Sequence, residues 1–368
     1  KLGIPHTPRF RDMFEKTVLE KTEYNIVMDQ VNEKTIERVY LVKNATRMLT
    51  FNEIRSILYQ TLEALVYCEE KNIILFDLKT NNMIWQAASK SLTLIDLGSV
   101  SEARDEYEVD PLQTPEYLAP EWMLKGKITP SYDIWSLGCV LYELIVGKQL
   151  LSRWDGSGLS EFTLYDDILW QIVSEMGRPS QAYLAGCKRA EWFTQVFPID
   201  EFPEVPKESN WESNVKKALS DGGMEEKEIQ EWVQFLKSML CYENRASAKT
   251  LVNHPIFKGE IHFNLKSDPT IKCTMHLRRQ FKAGQSGGSE DLTMDLNSDK
   301  NRYLHIPRDP KGEYLLTLQT DELELINSIS LKNDGTLDIT SYQAQLRDFN
   351  PSSLESSNKK SKIDDWSE

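Results

Sequence analysis

Apolar residues recur at three-to-four spacing after Thr50, and this period predicts an amphipathic helix with one buried face. Glu53 follows Thr50 at the distance that closes a capping box, in which each side chain satisfies a backbone amide of the first helical turn. The apolar positions are Phe51, Ile54, Leu58, Leu62, Leu65 and Cys68. This helix therefore has a predicted start and a predicted core-facing side.

Two later segments also predict helices. Residues 131–148, SYDIWSLGCVLYELIVGK, are apolar on nearly every face, which is typical of a helix buried on all sides, and Gly147 is a suitable C-cap. Residues 229–240 predict an amphipathic helix behind a turn at Gly222 and Gly223. We expect helices to dominate the chain from Thr50 to Phe257.

A hairpin is predicted between the first two of these helices. Residues 83–85, MIW, and 91–96, SLTLID, are short apolar runs joined by the polar stretch QAASK. If the two strands pair, the residue before the first strand and the residue that ends the second lie at one open end. Those residues are Asn82 and Asp96.

The chain divides into five predicted parts, and its fold class is α+β. Residues 1–35 contain two candidate strands, 9–19 and 24–31, and are too few to form a domain. The other parts are a mainly helical body over 36–263, a linker over 264–300 that includes AGQSGGSED, a small strand-containing extension over 301–345 and a disordered tail over 346–368. Within the extension, ISLKNDGTLDIT predicts a second hairpin with its turn at Asp334 and Gly335.

Composition and charge limit the partners, the cysteine-based sites and the membrane association that we expect. The 368 residues are 40% hydrophobic and carry a net charge of -14, which disfavours nucleic acid or an anionic membrane as the main partner. The 5 cysteines are widely spaced with no CxxC pair, so neither a disulfide framework nor a zinc site is indicated. The longest apolar run is too short to span a bilayer. We expect an intracellular protein of the nucleus or cytoplasm, with no prediction for its oligomeric state.

Polar residues interrupt the apolar stretch IILFDLKTNNMIW, residues 73–85, and they indicate phosphate chemistry. An amide at Asn82 beside a carboxylate at Asp96 suits Mg²⁺, which prefers oxygen ligands and retains phosphate as a co-ligand. Asp77 could then orient or deprotonate a hydroxyl group, and Lys79 could neutralise charge on a phosphoryl group. A single aspartate in a loop is more often a turn or cap residue, so the interpretation depends on the four residues together.

The order of these motifs resembles that of the eukaryotic protein kinase family. D-x-K-x-x-N, strand, turn, strand and D-x-G is similar to the catalytic loop and metal-binding segment of that family. Residues 114–122, TPEYLAPEW, resemble the end of a kinase activation segment, and 131–148 resembles the central helix of the large lobe. The resemblance implies that 1–35 is a remnant of the small lobe and hinge, and that 36–263 is the large lobe.

The resemblance also implies roles for individual residues. Asp77 would act on the acceptor hydroxyl, Lys79 would stabilise the transferring phosphoryl group, and ATP would be the phosphate donor with Mg²⁺ held by Asn82 and Asp96. For the adenine site, Met28 would be the gatekeeper, the backbone of Asp29 and Val31 would bind the adenine edge, and Ile84 would lie under the ring. For support, Thr114 would buttress Asp77, Asp133 would hold the catalytic loop through backbone amides, and Glu121 would pair with Arg245.

Two of these residues and one segment bear on the subfamily. Lys79 and Thr114 match serine/threonine kinases, so the implied partner is a protein substrate with hydroxyl side chains. Residues 164–193 resemble the insert of the CMGC group, nearest to the homeodomain-interacting and dual-specificity tyrosine-regulated kinases. Those kinases have arginine where this chain has Leu118 and tyrosine where it has Pro111, so we expect neither their proline-directed specificity nor their tyrosine autophosphorylation.

The chain departs from the family pattern at three points. The usual His-Arg before the catalytic aspartate is Leu75-Phe76, so an arginine for an activation-loop phosphate is missing, and the metal motif has Leu97 in place of phenylalanine. A glycine-rich loop, its phosphate-binding lysine and the partner glutamate helix do not precede the hinge. Because the chain begins with lysine and not methionine, we expect these elements upstream.

Two alternatives remain at this stage. A pseudokinase would use the same fold as a binding or scaffold module, but such a module needs none of the four polar residues that are retained. A small-molecule kinase, such as an aminoglycoside phosphotransferase, would lack the Ala119-Pro120-Glu121 segment and its partner Arg245.

Overall fold

The computed structural model places most of the first 257 residues in helices and short strands. It describes residues 3–18, 21–31, 33–41, 49–104, 114–152, 161–201 and 209–257, followed by the segments 260–266, 274–279, 292–295, 302–307, 313–319, 324–330 and 335–339 and residue 343. The chain forms two compact units, Lys1–Lys258 and Gly259–Glu368.

The first unit begins with a two-stranded antiparallel hairpin. Strand β1 (Phe10–Val18) pairs with β2 (Lys21–Met28), and Met13 lies opposite Ile26 in the register. The strand predicted over 9–19 agrees with β1, whereas the strand predicted over 24–31 overlaps β2 but lies three residues too far along the chain. The large apolar side chains of this hairpin are exposed, and only Asn25 and Asp29 among the residues described from 22 to 29 are half-buried.

Helix α1 (Phe51–Lys71) starts at the predicted capping box. The Glu53 amide donates to Thr50 Oγ1 at 3.2 Å, and the Thr50 amide donates to Glu53 Oε2 at 2.9 Å. Asn72 ends the helix in the left-handed region with φ of 53°. The apolar face is buried as the three-to-four spacing predicted, so α1 is anchored to the core along its length.

Four short strands follow α1 and carry the polar loop. Strand β3 (Ile73–Ile74) pairs with β6 (Ser101–Glu102), and β4 (Met83–Gln86) pairs with β5 (Ser91–Leu94) in the predicted hairpin. Both pairs are antiparallel. Leu75, Phe76 and Leu78 of the loop between β3 and β4 are buried, so this loop is anchored in the core.

The centre of the first unit is a buried helix, as its apolar sequence predicted. A single turn, α2 (Pro120–Met123), precedes α3 (Ser131–Val146), which ends at Gly147 with φ of 77°. A Cβ atom at Gly138 would lie 2.7 Å from Leu240 Cδ2, so only glycine allows α3 to pack this closely.

Six further α-helices follow α3 in the part of the chain that the structure describes. They are α4 (Glu161–Met176), α5 (Gln181–Ala185), α6 (Ala190–Val196), α7 (Asn210–Asp221), α8 (Glu226–Met239) and the single turn α9 (Ala248–Leu251). Helix α8 confirms the amphipathic helix predicted over 229–240. Among the described residues, no helix combines the length and the apolar content that crossing a bilayer requires.

The described part of the second unit contains seven strands. They are β7 (Glu260–Lys266), β8 (Thr274–Arg279), β9 (Leu292–Asp295), β10 (Arg302–Pro307), β11 (Glu313–Gln319), β12 (Glu324–Ser330) and β13 (Gly335–Asp338). One sheet has the order β10-β7-β13 and the other has the order β12-β11-β8-β9.

This unit corrects two expectations. The hairpin predicted around Asp334 and Gly335 is wrong, because β12 pairs with β11 whereas β13 pairs in parallel with β7. Residues 264–300, expected to be a linker, contain β8 and β9, whose short apolar alternation is hidden among polar residues. The Asp-Gly signal reports a local turn preference, and long-range pairing decides which strands meet. The predicted tail, 346–368, lies outside the described residues.

Candidate active site

The loop between β3 and β4 is held in place from α3. The carboxylate of Asp133 accepts hydrogen bonds from the backbone amides of Leu75, at 2.7 Å, and Phe76, at 3.0 Å. Both Leu75 and Phe76 are buried, and Phe76 has φ of 68°. A fully buried acid on the central helix therefore fixes the backbone that immediately precedes Asp77.

The two oxygens of Asp77 are bound by three neighbouring side chains. Lys79 Nζ lies 3.0 Å from Oδ1 and 2.8 Å from Oδ2, and Thr114 Oγ1 donates to Oδ1 at 3.1 Å. Lys79 Nζ also donates to Thr114 Oγ1 at 2.7 Å. Asn82 Nδ2 donates to Oδ2 at 2.9 Å. This network holds the Asp77 carboxylate in one orientation.

Asn82 and Asp96 lie at the same end of the β4–β5 hairpin, as predicted. The amide of Ile95, the residue before Asp96, donates to the Asn82 carbonyl oxygen at 2.9 Å. Asp96 is exposed and has φ of 57°, and a Cβ atom at Gly98 would lie 3.4 Å from its Oδ1 atom.

The residues at this end fit Mg²⁺. Asn82 Nδ2 donates to both the backbone oxygen and Oδ2 of Asp77, each at 2.9 Å, so its Oδ1 atom is turned away from Asp77 and can accept a cation. Together with the exposed Asp96 carboxylate, Asn82 would offer oxygen ligands only, which is the donor type that Mg²⁺ prefers. Among the described residues, no three His, Cys, Asp or Glu side chains form a group that could hold a metal ion.

The four residues that the resemblance assigns to adenine lie on β2, the segment after it, and β4. Met28 ends β2 with 52% of its surface exposed. The Asp29 amide donates to the Arg9 carbonyl oxygen at 3.0 Å, so the Asp29 carbonyl oxygen is the backbone atom that remains for a nucleobase. Val31 is half-buried, and Ile84 is buried in the strand β4.

A buried ion pair joins Arg245 to Glu121, which lies in the segment that begins at Thr114. Arg245 Nη1 donates to Glu121 Oε1 at 2.7 Å, and Nη2 donates to Oε2 at 3.1 Å, which is a bidentate arrangement. Arg245 also donates to the carbonyl oxygens of Ser131 and Cys241. The pair therefore connects α2, the start of α3 and the end of α8.

A second buried polar network was not predicted. Tyr117 Oη donates to Glu143 Oε2 at 2.6 Å, and Thr80 Oγ1 donates to the same oxygen at 3.1 Å. Burial raises the pKa of Glu143, and the two hydrogen bonds oppose that rise. The available signal was a single acid in an otherwise apolar stretch, which indicates a buried partner but does not say which one.

The hydrogen bonds of Asp133 lead to a prediction about pH. Burial raises the pKa of Asp133 from 3.8 to about 7, and the amides of Leu75 and Phe76 act in the opposite direction. Because this pKa is higher in the folded state, the associated stability is fully present below about pH 4 and is lost as the pH rises through about 7.

We therefore compare the wild type with Asp133→Asn, which cannot titrate. As the pH rises from about 4 to about 7, the unfolding free energy of the wild type should fall relative to that of the variant, by about 1.4 kcal/mol for each pKa unit. Denaturant unfolding at a series of pH values measures this difference. Parallel curves for the two proteins would show that Asp133 has an ordinary pKa.

Comparison with known proteins shows where the chain is similar. The protein kinase domain model matches residues 1–257. Extracellular signal-regulated kinase 1 of Candida albicans is 27% identical over 212 residues, which cover 52% of this chain and 48% of that protein. Homeodomain-interacting protein kinase 1 of Caenorhabditis elegans is 34% identical over 179 residues, which cover 48% of this chain and 19% of that protein.

A third relative is also similar to this chain over about half of its length. The probable serine/threonine-protein kinase sky1 of Dictyostelium discoideum is 30% identical over 191 residues, which cover 51% of this chain and 28% of that protein. The chain thus spans less than half the length of these three curated relatives.

Proposed function

Because the chain belongs to the protein kinase family, we propose that it is a serine/threonine protein kinase that transfers the γ-phosphoryl group of ATP to hydroxyl groups of protein substrates. The observation that carries this proposal is the Asp77 carboxylate, held by Lys79, Thr114 and Asn82 beside the end of the hairpin that carries Asp96. A base in a fixed orientation next to an oxygen site for Mg²⁺ is what phosphoryl transfer to a hydroxyl requires.

In the proposed reaction, the substrate hydroxyl oxygen bonds to the γ-phosphorus while the bond from that phosphorus to the β-γ bridging oxygen of ATP breaks. Asp77 orients the hydroxyl and accepts its proton, and ADP carries away the electron pair of the broken bond. Lys79, which contacts Asp77 from the same side as Thr114, offers its positive charge to the transferring group. Bound Mg²⁺, held by Asn82 and Asp96, would neutralise charge on the phosphate oxygens.

The identity of Lys79 and its contact with Thr114 favour serine and threonine over tyrosine as acceptors, by the likeness of these positions to serine/threonine kinases. The segment 164–193 and the named relatives favour a CMGC-like kinase. Leu118 is buried, so the segment before α2 offers an apolar side chain where an arginine would be needed for the specificity of the nearest CMGC kinases. We place this activity in the nucleus or the cytoplasm.

If the chain were a pseudokinase, the catalytic side chains would not need to be held in fixed positions. Around Asp77, a lysine, a threonine and an amide all converge on one carboxylate, and this supports the enzyme. A scaffold module would not need this arrangement. We therefore retain the enzyme as the proposed function.

The direct test is phosphate transfer by the full-length protein. We expect incubation with radiolabelled ATP and Mg²⁺ to label serine and threonine in a mixture of acceptor proteins, as read by phosphoamino acid analysis. Label on tyrosine alone would overturn the assigned substrate class. ATP binding without any labelled protein would favour the pseudokinase.

A variant at the oxygen site gives a sharper prediction. Asn82→Ala removes one proposed Mg²⁺ ligand and two hydrogen bonds to Asp77, one to its backbone oxygen and one to Oδ2. We expect the Mg²⁺ concentration for half-maximal activity to rise by about 10-fold or more, as loss of a metal ligand requires. Asn214→Ala, at an amide that donates to Tyr142 Oη on the far part of α3, is the matched control. An unchanged Mg²⁺ requirement in Asn82→Ala would remove Asn82 from the metal site.

A further inference from the structure

We propose that Phe76, Trp122 and Tyr132 form a positioning cluster that keeps the catalytic loop aligned with the segment that presents the substrate. We call these three side chains the aromatic cluster. The inference rests on the proposed function, since it assigns these residues a role in the same phosphoryl transfer.

The three rings form a closed triangle. The Phe76 ring centroid lies 5.2 Å from that of Tyr132 and 5.8 Å from that of Trp122, and the Trp122 and Tyr132 centroids are 6.3 Å apart. The interplanar angles are 58°, 71° and 73°, respectively, so the rings meet edge to face or tilted. These are the geometries that the charge distribution of aromatic rings favours, and each such pair contributes about 0.5–1.5 kcal/mol beyond the burial of its area.

The cluster joins three separate elements of the site. Phe76 belongs to the loop after β3, Trp122 belongs to α2, and Tyr132 belongs to the first turn of α3. Each ring is adjacent in sequence to a polar residue of the site: Phe76 precedes Asp77, Trp122 follows Glu121, and Tyr132 precedes Asp133. A shift of one ring therefore moves the neighbouring polar residue, which is Asp77, Glu121 or Asp133.

The segment from Thr114 to Trp122 meets the catalytic loop at both of its ends. At its start, Thr114 Oγ1 donates to Asp77 Oδ1 at 3.1 Å. At its end, the Trp122 ring contacts the Phe76 ring. Hydrogen bonds from Tyr117 to Glu143 and from Arg245 to Glu121 hold the segment in the first unit, and the ring contact links its end directly to the catalytic loop. Polar and aromatic contacts thus act together on the segment.

The backbone of Phe76 shows that this arrangement is enforced. Phe76 has φ of 68°, in the left-handed region that is unfavourable for a bulky side chain. Such a conformation persists when the surrounding contacts over-determine it. Here the Asp133 carboxylate accepts from the Phe76 amide at 3.0 Å, and Trp122 and Tyr132 hold the ring.

Simple core packing is the competing explanation, and the two explanations predict different measurements. If the rings only fill space, replacing one lowers thermal stability and leaves the turnover of the folded enzyme unchanged. If they position the loop, replacing one lowers kcat while the affinity for ATP is retained, because the nucleotide is bound by other residues.

The test uses Trp122→Leu in the full-length protein, since Trp122 is half-buried and its loss is tolerated better than that of a fully buried ring. We expect kcat for a protein substrate to fall by about 10-fold and the Kd for ATP to stay within about twofold. Trp122→Phe, which restores a ring, should recover kcat to within about threefold of the wild type. The double variant Phe76→Leu and Trp122→Leu should have a kcat close to that of the less active of the two single variants, because the rings act as a unit.

Tyr59→Leu is the matched control. Tyr59 is a half-buried aromatic residue of α1 whose ring meets Phe257 edge to face at 5.4 Å and 80°. This variant should retain the wild-type kcat. The inference fails if the kcat of Trp122→Leu is within about twofold of the wild type, if Tyr59→Leu loses as much, or if the losses in the double variant multiply. A wild type that transfers no phosphate to protein overturns the proposed function, and the inference with it.

Discussion

Asp77→Asn in the full-length protein should lower kcat by about 10³-fold and leave the Kd for ATP within about twofold. The amide has nearly the same shape as the carboxylate but cannot accept the proton of the substrate hydroxyl. It also loses at least one hydrogen bond, because an NH₂ group at the Oδ2 position would face the Asn82 Nδ2 donor, and one at the Oδ1 position would face the Lys79 Nζ donor. Single-turnover transfer of radiolabel and calorimetric titration with Mg-ATP measure the two quantities.

The control for this variant is Asp221→Asn, the same chemical change at an exposed residue paired only with Lys217 among the contacts described for it. It should retain full turnover. If Asp77→Asn turns over normally, Asp77 is not the base and the proposed mechanism is wrong. If it loses nucleotide affinity in proportion to turnover, Asp77 acts in binding and not in the transfer step.

The local features of the fold were predictable because their signals are local. The capping box at Thr50 and Glu53 forms as the sequence pattern indicates, since it depends on residues within one turn. Gly147 ends α3 in the left-handed region, where the lack of a Cβ atom removes the steric cost. The β4–β5 register follows from a short loop between two apolar runs, and it places Asn82 beside the residue that precedes Asp96.

The second unit shows where local signals fail. The turn residues Asp334 and Gly335 favour a hairpin between their flanking strands. β13 instead pairs in parallel with β7, which is more than sixty positions away in the sequence. Parallel pairing has no tight-turn signature, and the strands of this unit alternate only over a few residues. A sequence pattern could therefore indicate strands here but could not assign their partners.

In the candidate site, some features were predictable from local sequence patterns and others depend on long-range contacts. The spacing of Asp77, Lys79 and Asn82 indicated phosphate chemistry from residues close in sequence. Contacts over long separations, such as Asp133 with the Leu75 amide, were expected only through resemblance to a family, because no local pattern links residues 58 positions apart. The aromatic cluster was not found because apolar residues in a loop and in two helices give the same pattern whether they only fill the core or also align a site.

The other large effect is expected at the ion pair between Glu121 and Arg245, whose side chains are only 8% and 4% exposed. Arg245→Leu leaves the Glu121 carboxylate buried without its cation, and it also removes the hydrogen bonds to Ser131 and Cys241. Breaking one half of such a buried pair costs about 3–5 kcal/mol. Thermal unfolding of the full-length protein should show a Tm lower by about 10 °C.

Two further variants separate the pair from its surroundings. The double variant Glu121→Gln and Arg245→Leu should be more stable than Arg245→Leu, because it buries no uncompensated charge. Lys217→Ala, at an exposed pair whose side chains are 75% and 68% exposed, should change stability by less than about 0.5 kcal/mol. Two results would contradict this prediction: Arg245→Leu as stable as Lys217→Ala, or further destabilisation when Glu121→Gln is added. Either result would mean that Arg245 does not stabilise the buried charge of Glu121.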